Sequence, residues 1–207
     1  MNTIDYLKEI YGCGNPIFLN QIRIGRKSKT AIRAELSRAV KKGLINREVD
    51  GVYYFPTNGE FFNGILFEDI IQKRYIKGKN VLPEFEDFDV YGYYSGITFL
   101  NLMGLTEQFP MVLEITTNCT SSKKREITLL GQRAILRKGR VEINYQNAKI
   151  LQFLDMFRYL DEWEIKENKK RIIQYIQEER IGKEIKKYFP LYDFETIKKI
   201  TEGGLLA

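Results

Sequence analysis

The run Gly92-Tyr93-Tyr94-Ser95-Gly96 sets a serine beside a glycine, and a serine so placed could act as a nucleophile. A serine hydroxyl needs an adjacent base, and histidine, the usual one, is absent from all 207 residues. The run also misses the Gly-x-Ser-x-Gly spacing of a nucleophile elbow by one residue and precedes a helical pattern without the required strand. Ser95 is therefore expected to cap a helix GITFLNLM, which Gly104 ends. Neither phosphate-binding glycine pattern, G-x-x-x-x-G-K-[ST] or G-x-G-x-x-G, occurs.

Carboxylates offer a second chemistry, because metal-assisted phosphoryl transfer needs several that converge. Glu114, Glu126 and Glu142 fall on strand-like runs, but Glu114 is followed by Ile115-Thr116 and not by a glutamate-x-lysine pair. Glu164-Ile165-Lys166 and Glu184-Ile185-Lys186 have that pair within charge-rich helical segments, where a solvated surface is the expectation. Cys13 and Cys119 cannot alone complete a four-ligand site and are expected to be reduced, small and buried. The residues thus give no catalytic group, no metal site and no cofactor, and the chain is expected not to be an enzyme.

Charge is the stronger signal. From Arg23 to Arg47 there are nine basic residues and one acid, Glu35, a local excess of eight against +6 for the whole chain. Ser28 is placed to cap a helix KTAIRAELSRAVKK with Ile32, Leu36, Ala39 and Val40 on one stripe and Gly43 as its stop. Thr30, Ala34, Ser37, Arg38 and Lys41 fall on the other face.

Before this helix, TIDYLKEIYG reads as an amphipathic helix closed by Gly12, and IFLNQIRIG as a second brief element. After it, Asp50-Gly51 between LINREV and VYYFP is a hairpin signal. Three helical pieces followed by a β-ribbon is the order of a winged helix-turn-helix, whose third helix enters the major groove of double-stranded DNA. Arg33 and Arg38 are assigned to base edges, with Ser28, Thr30 and Ser37 as small outward neighbours. Arg26, Lys27, Lys29, Lys41, Lys42 and Arg47 complete the basic face, mainly toward phosphate. Tyr53, Tyr54 and Phe55 are expected to pack rather than stack on bases.

The chain divides at the sequence level into residues 1–60, a bridge and linker over 61–91, and residues 92–207. The bridge holds an apolar-periodic helix with Ile65, Phe67, Ile70, Ile71 and Tyr75, then a connector KGKNVLPEFEDFD whose EFEDFD is acidic. Strand-like runs at 111–118, 125–131, 133–138 and 141–146 predict an antiparallel meander, followed by an amphipathic helix facing inward with Ile150, Leu154, Phe157 and Leu160. Lys123, Lys124, Arg125, Arg133, Arg137, Lys138 and Arg140 gather near its turns as a possible second anionic-partner surface. The remaining segment predicts polar-faced helices broken at Gly182, Pro190 and Gly203-Gly204. The fold class is α+β with two domains and a helical C-terminal part. No apolar run is long enough for a membrane helix and the first residues lack a signal-peptide pattern, so the expected location is cytoplasmic, with no membrane partner.

The segments GYYSGITFLNLMGLTEQFPMVLEITTN, KKREITLLGQRAILRKGRVEI and ILQFLDMF resemble the second domain of AbiEi-type antitoxins and related transcriptional regulators. PIFLNQIRIGRKSKTAIRAELSRAVKKGLINREVDGVYYFP is similar to the winged helix preceding it in that family, so the resemblance spans roughly residues 1 to 163. It implies a type IV toxin-antitoxin module of abortive-infection phage defence. The N-terminal domain would bind inverted repeats in its own promoter, as a possible dimer on DNA, and repress the operon. The other domain would counteract a nucleotidyltransferase-like toxin without a stable complex. Two alternatives stay open: a metal-dependent nucleic-acid-processing enzyme using strand carboxylates such as Glu114 or Glu142, and a winged-helix regulator with no toxin.

Overall fold

The computed structural model describes residues 2–57, 64–79 and 88–206. The chain is mixed α and β and separates into two compact units, Met1–Phe88 with Leu129–Gln132, and Asp89–Thr128 with Arg133–Ala207. Among the described residues, no helix is long and apolar enough to cross a membrane.

Unit 1 begins with α1 (Thr3–Tyr11), capped by the Asn2 side chain, which accepts from the backbone of Ile4 and Asp5. Gly12 closes α1 at φ +68°. Strand β1 (Ile17–Phe18) follows, then a turn, then α2 (Lys29–Lys41), β2 (Asn46–Val49) and β3 (Val52–Tyr54). Ser28 caps α2 by accepting from the Ala31 amide at 3.2 Å, as its sequence position predicts. Gly43, at φ +67°, lets the Leu44 amide fold back to the Ala39 carbonyl. The three strands lie in the order β1-β3-β2, all antiparallel, and Asp50-Gly51 forms the β2–β3 turn. Leu7, Ile17, Ile22, Ile32, Leu36, Ile45 and Phe55 form the core under α2. Each such side chain contributes about 1.5–3 kcal/mol by leaving water. Tyr53, Tyr54 and Phe55 are buried, in keeping with their packing role.

Three expectations are corrected. The brief second element is not helical: Ile17 and Phe18 are β1, and its remaining residues are turn or irregular. β-branched and aromatic residues after Pro16 favour pairing with β3 over a helical turn. Cys13 is exposed, because it lies in the α1–β1 turn and not in the core. The bridge helix is α3 (Phe67–Ile71), which continues as a π-helical turn over Gln72–Ile76. Strands β4 (Lys77–Lys79) and β5 (Phe88–Val90) stand where a plain connector is expected. Most of the acidic EFEDFD run lies outside the described residues.

Unit 2 carries a four-stranded sheet in the order β6-β7-β9-β8. Its strands are β6 (Gly92–Tyr94), β7 (Leu113–Thr117), β8 (Lys124–Leu129) and β9 (Gln132–Lys138), with α4 (Gly96–Leu102) between β6 and β7. The antiparallel meander is therefore overturned: β9 inserts between β7 and β8 and runs parallel to β7, pairing Ile115 with Leu136. Residues 141–146 are not a strand. Side chains meet their backbone instead: Asn118 donates to the Ile143 carbonyl at 2.8 Å and accepts from its amide at 3.0 Å, and Asn147 donates to the Glu142 carbonyl and accepts from the Asn144 amide, both at 2.9 Å. Helix α5 (Ala148–Met156) is shorter than expected and buried on nearly every side; Ile150 and Leu154 on it, and Phe157 and Leu160 beyond its end, lie in the core as predicted. Helices α6 (Glu162–Glu167), α7 (Lys169–Glu178) and α8 (Phe194–Glu202) follow, and Pro190 lies inside a 3-10 turn, Ile185–Leu191, instead of breaking a helix. Cys119 is exposed in the turn after β7, contrary to expectation.

Candidate nucleic-acid interface

The inner side of α2 is fixed by Ile32, Leu36 and Ala39, all buried, so its other residues must face outward. Lys29, Thr30, Arg33, Ser37, Arg38 and Lys41 are exposed along that outer side. Lys29, Arg33, Arg38 and Lys41 have no carboxylate partner within ion-pair distance among the described residues. Arg38 holds to its own helix, its Nε donating to the Ala34 carbonyl at 3.4 Å. Arg26 and Lys42 are also exposed, just before and just after the helix.

Two of the sequence-assigned cations are engaged within unit 1. Lys27 donates to Thr3 Oγ1 at 2.7 Å and to both Glu35 carboxylate oxygens at 3.0 Å. These bonds tie α1 to α2, and the Thr3 hydroxyl on the Glu35 carboxylate, with Lys27 beside it, holds that carboxyl below its usual range. Arg47 forms an ion pair with Asp50 across the β2–β3 turn. Ser28 is occupied as the helix cap.

A shallow cleft of about 390 Å³ opens beside the start of α2. Lys29, Thr30 and Arg33 line it from α2, Asn20 from the turn after β1, Asp50 and Gly51 from the hairpin turn, and Arg74 from the π-helical turn. The Arg74 guanidinium lies 6.0 Å from the Phe18 ring centre and 5.5 Å from that of Tyr75. Its neighbour Lys73 points away, donating to Asn15 Oδ1 at 2.6 Å. Sequence reasoning did not single out Arg74, because it falls in an apolar-periodic helix; the Lys73-Arg74 pair interrupting that pattern was the available signal.

In unit 2 the basic residues near the turns divide. Lys123, Lys124, Arg125 and Lys138 are exposed. Arg137 instead pairs with Glu114 at 3.0 Å, and Arg133 with Glu126. Arg140 lies 3.5 Å from Asp155 Oδ1, donates to the Leu191 carbonyl at 2.9 Å and stacks 4.4 Å above Tyr192.

Ser95 stands at the N-cap of α4, but its hydroxyl makes no cap bond and accepts from Thr116 Oγ1 at 3.1 Å. The Glu114 carboxylate lies against the backbone there: a Cβ on Gly96 would come within 2.7 Å of it. With Arg137 and the Tyr159 hydroxyl both donating to its Oε2, Glu114 is a structural counter-ion. Glu142 is exposed outside any strand. Among the described residues, no three His, Cys, Asp or Glu side chains gather as metal ligands would.

Neither protein-family models nor curated proteins give a match to this chain.

Proposed function

We propose that the protein is a DNA-binding transcriptional autorepressor and the antitoxin of a type IV toxin-antitoxin module. Unit 1 is read as a winged helix-turn-helix with α2 as recognition helix and β2–β3 as wing. The observation that carries this reading is the outer side of α2, where Lys29, Arg33, Arg38 and Lys41 are exposed and form no ion pair among the described residues. The sheet order β1-β3-β2, with α2 between β1 and β2, supports it. The turn that replaces the expected second helix makes this a reduced form of the motif.

Arg33 and Arg38 read base edges of inverted repeats in the gene's own promoter, and Lys29, Lys41 and Lys42 contact phosphate. Lys27 holds α2 against α1 instead of reaching DNA. Unit 2 counteracts a nucleotidyltransferase-like toxin in the cytoplasm without forming a stable complex. The reading of strand carboxylates as metal ligands is not favoured, since Glu114 is neutralised by Arg137.

Binding of the promoter duplex, against a scrambled duplex at fixed salt, tests the DNA half. Arg33→Ala and Arg38→Ala should each weaken promoter binding by about 1–3 kcal/mol and relax sequence preference. Unchanged affinity in both variants would rule out α2 as the recognition helix. Co-expression with the neighbouring gene tests the antitoxin half: growth arrest by that gene should be relieved by this protein, and absence of any arrest removes the toxin partner.

A further inference from the structure

We propose that the cleft between α2, the β2–β3 turn and the π-helical turn seats one backbone phosphate of bound DNA, with Arg74 as a cation supplied from outside the winged-helix elements. This rests on the DNA-binding reading above and adds a residue to it.

Three cations, Lys29, Arg33 and Arg74, line one concavity from two separate elements. Its single acid, Asp50, is already paired with Arg47. None of the three cations has a carboxylate partner among the described residues. Like charges gathered on one cleft repel each other, and an anion would relieve that repulsion. Of the lining residues, only Leu19 and Gly51 carry no polar side-chain group. Thr30 and Asn20 add hydrogen-bonding groups suited to phosphate oxygens.

Arg74 is also preorganised. It lies over Phe18 and Tyr75, both buried rings, which restricts its sweep and lowers the entropy lost on binding. A guanidinium can grip two phosphate oxygens at once, which an ammonium cannot. The cleft opens at the start of α2 and at the hairpin turn, where a duplex backbone would pass. That location favours a phosphodiester of DNA over a free phosphate.

The test is promoter binding by the full chain across a salt series. Arg74→Gln should weaken binding and flatten the slope of log affinity against log salt by up to about 0.9, the value for one phosphate left wholly without a cation. Arg74→Lys, which keeps the charge, should retain most of the slope. If Arg33→Ala weakens binding while Arg74→Gln leaves affinity and slope unchanged, the phosphate seat is wrong and the DNA-binding reading stands. If the wild-type protein binds no duplex at any salt concentration, both fall. Titration with inorganic phosphate separates the sources: perturbation of the Arg74 side-chain resonance by phosphate, with no effect of Arg74→Gln on duplex binding, would assign a free anion instead.

Lys29→Gln, on the exposed helix face, is the second variant should Arg74→Gln lower the melting temperature. Because the two cations share one phosphate, their effects on affinity should be less than additive in the double variant. Full additivity would overturn the shared seat.

Discussion

Along α2, the cations extend from a helix anchored by Ile32, Leu36 and Ala39 and form no ion pair among the described residues. Around β9 in unit 2, Arg137 and Arg140 turn onto Glu114 and Asp155, whose side chains are only 14% and 11% exposed. Both regions read as basic in the sequence, yet the first keeps its charge available to a partner while much of the second is neutralised within the fold. The difference follows from the neighbours. An amphipathic helix offers its outer side chains only solvent, whereas a mixed sheet covered by α5 places arginines beside acids that burial would otherwise leave unpaired.

Alkaline pH should separate the two units by the largest margin. Tyr93, Tyr175 and Tyr192 in unit 2 are held well above the ordinary phenol value, chiefly by burial, with Asp155 adding to the shift at Tyr93 and Tyr192 and Glu179 at Tyr175. In unit 1 burial pushes Tyr11 up to about 12. A raised folded value means the contribution is complete below the unfolded value, about 10, and is lost as pH rises toward the folded one. Three phenols that stay protonated only when folded give a loss of up to about 4 kcal/mol per pH unit above pH ~10. Denaturant titrations over that range should show it, and Tyr175→Phe should reduce the slope by about 1.4 kcal/mol per pH unit. A pH-independent stability would mean these phenols are not buried together.

The next effect is at Asp155. Its Oδ2 accepts from Tyr93 at 2.8 Å, while Oδ1 has the Arg140 guanidinium 3.5 Å away but no hydrogen-bond donor. Arg140→Met leaves that charge buried without its cation, and the expected loss is about 3 kcal/mol in chemical denaturation. Adding Asp155→Asn should restore part of it. If Arg140→Met instead costs no more than a surface change, the contrast between the two basic regions fails.

What could be read from the sequence followed the range of the interactions. Caps and stops are local, so Ser28, Gly43 and Asp50-Gly51 located α2 and its hairpin correctly. The four-stranded sheet is not local: β9 pairs with β7 although β8 lies between them in sequence, and the residues at 141–146 bond their backbone to the Asn118 and Asn147 side chains. Alternation of side chains alone cannot report either arrangement. The same limit applies to the candidate interface. The sign of its charge was legible, but nothing in spacing could show that Lys27 is held by Thr3 and Glu35, or that Arg74 reaches a cleft with Lys29 and Arg33.

Two glycines extend the comparison at smaller amplitude. Gly43 at the end of α2 has φ +67° with open space at its Cβ position, whereas Gly96, at φ +58°, faces the Glu114 carboxylate. Gly43→Ala should cost about 1 kcal/mol from backbone conformation alone. Gly96→Ala should cost more, about 2 kcal/mol, because the Glu114–Arg137 pair must also move. Equal costs in denaturation would show that this ion pair can shift freely.

The smallest effect on stability is the most telling for function. Lys29→Gln, Arg33→Gln, Arg38→Gln and Lys41→Gln change exposed side chains that form no ion pair among the described residues, so each should change stability by no more than about 0.5 kcal/mol. Removing neighbouring like charges could even raise the melting temperature slightly, because α2 has no acid in its first turn to offset them. The same four changes should each lower promoter affinity, with a slope change of about 0.9 for every phosphate left without its cation. Stability and binding are thereby uncoupled on α2. In unit 2, Arg137→Gln should lower stability, because it strips the cation from a largely buried Glu114. A variant of α2 that abolished both folding and binding would show that its cations are structural, as Arg137 is.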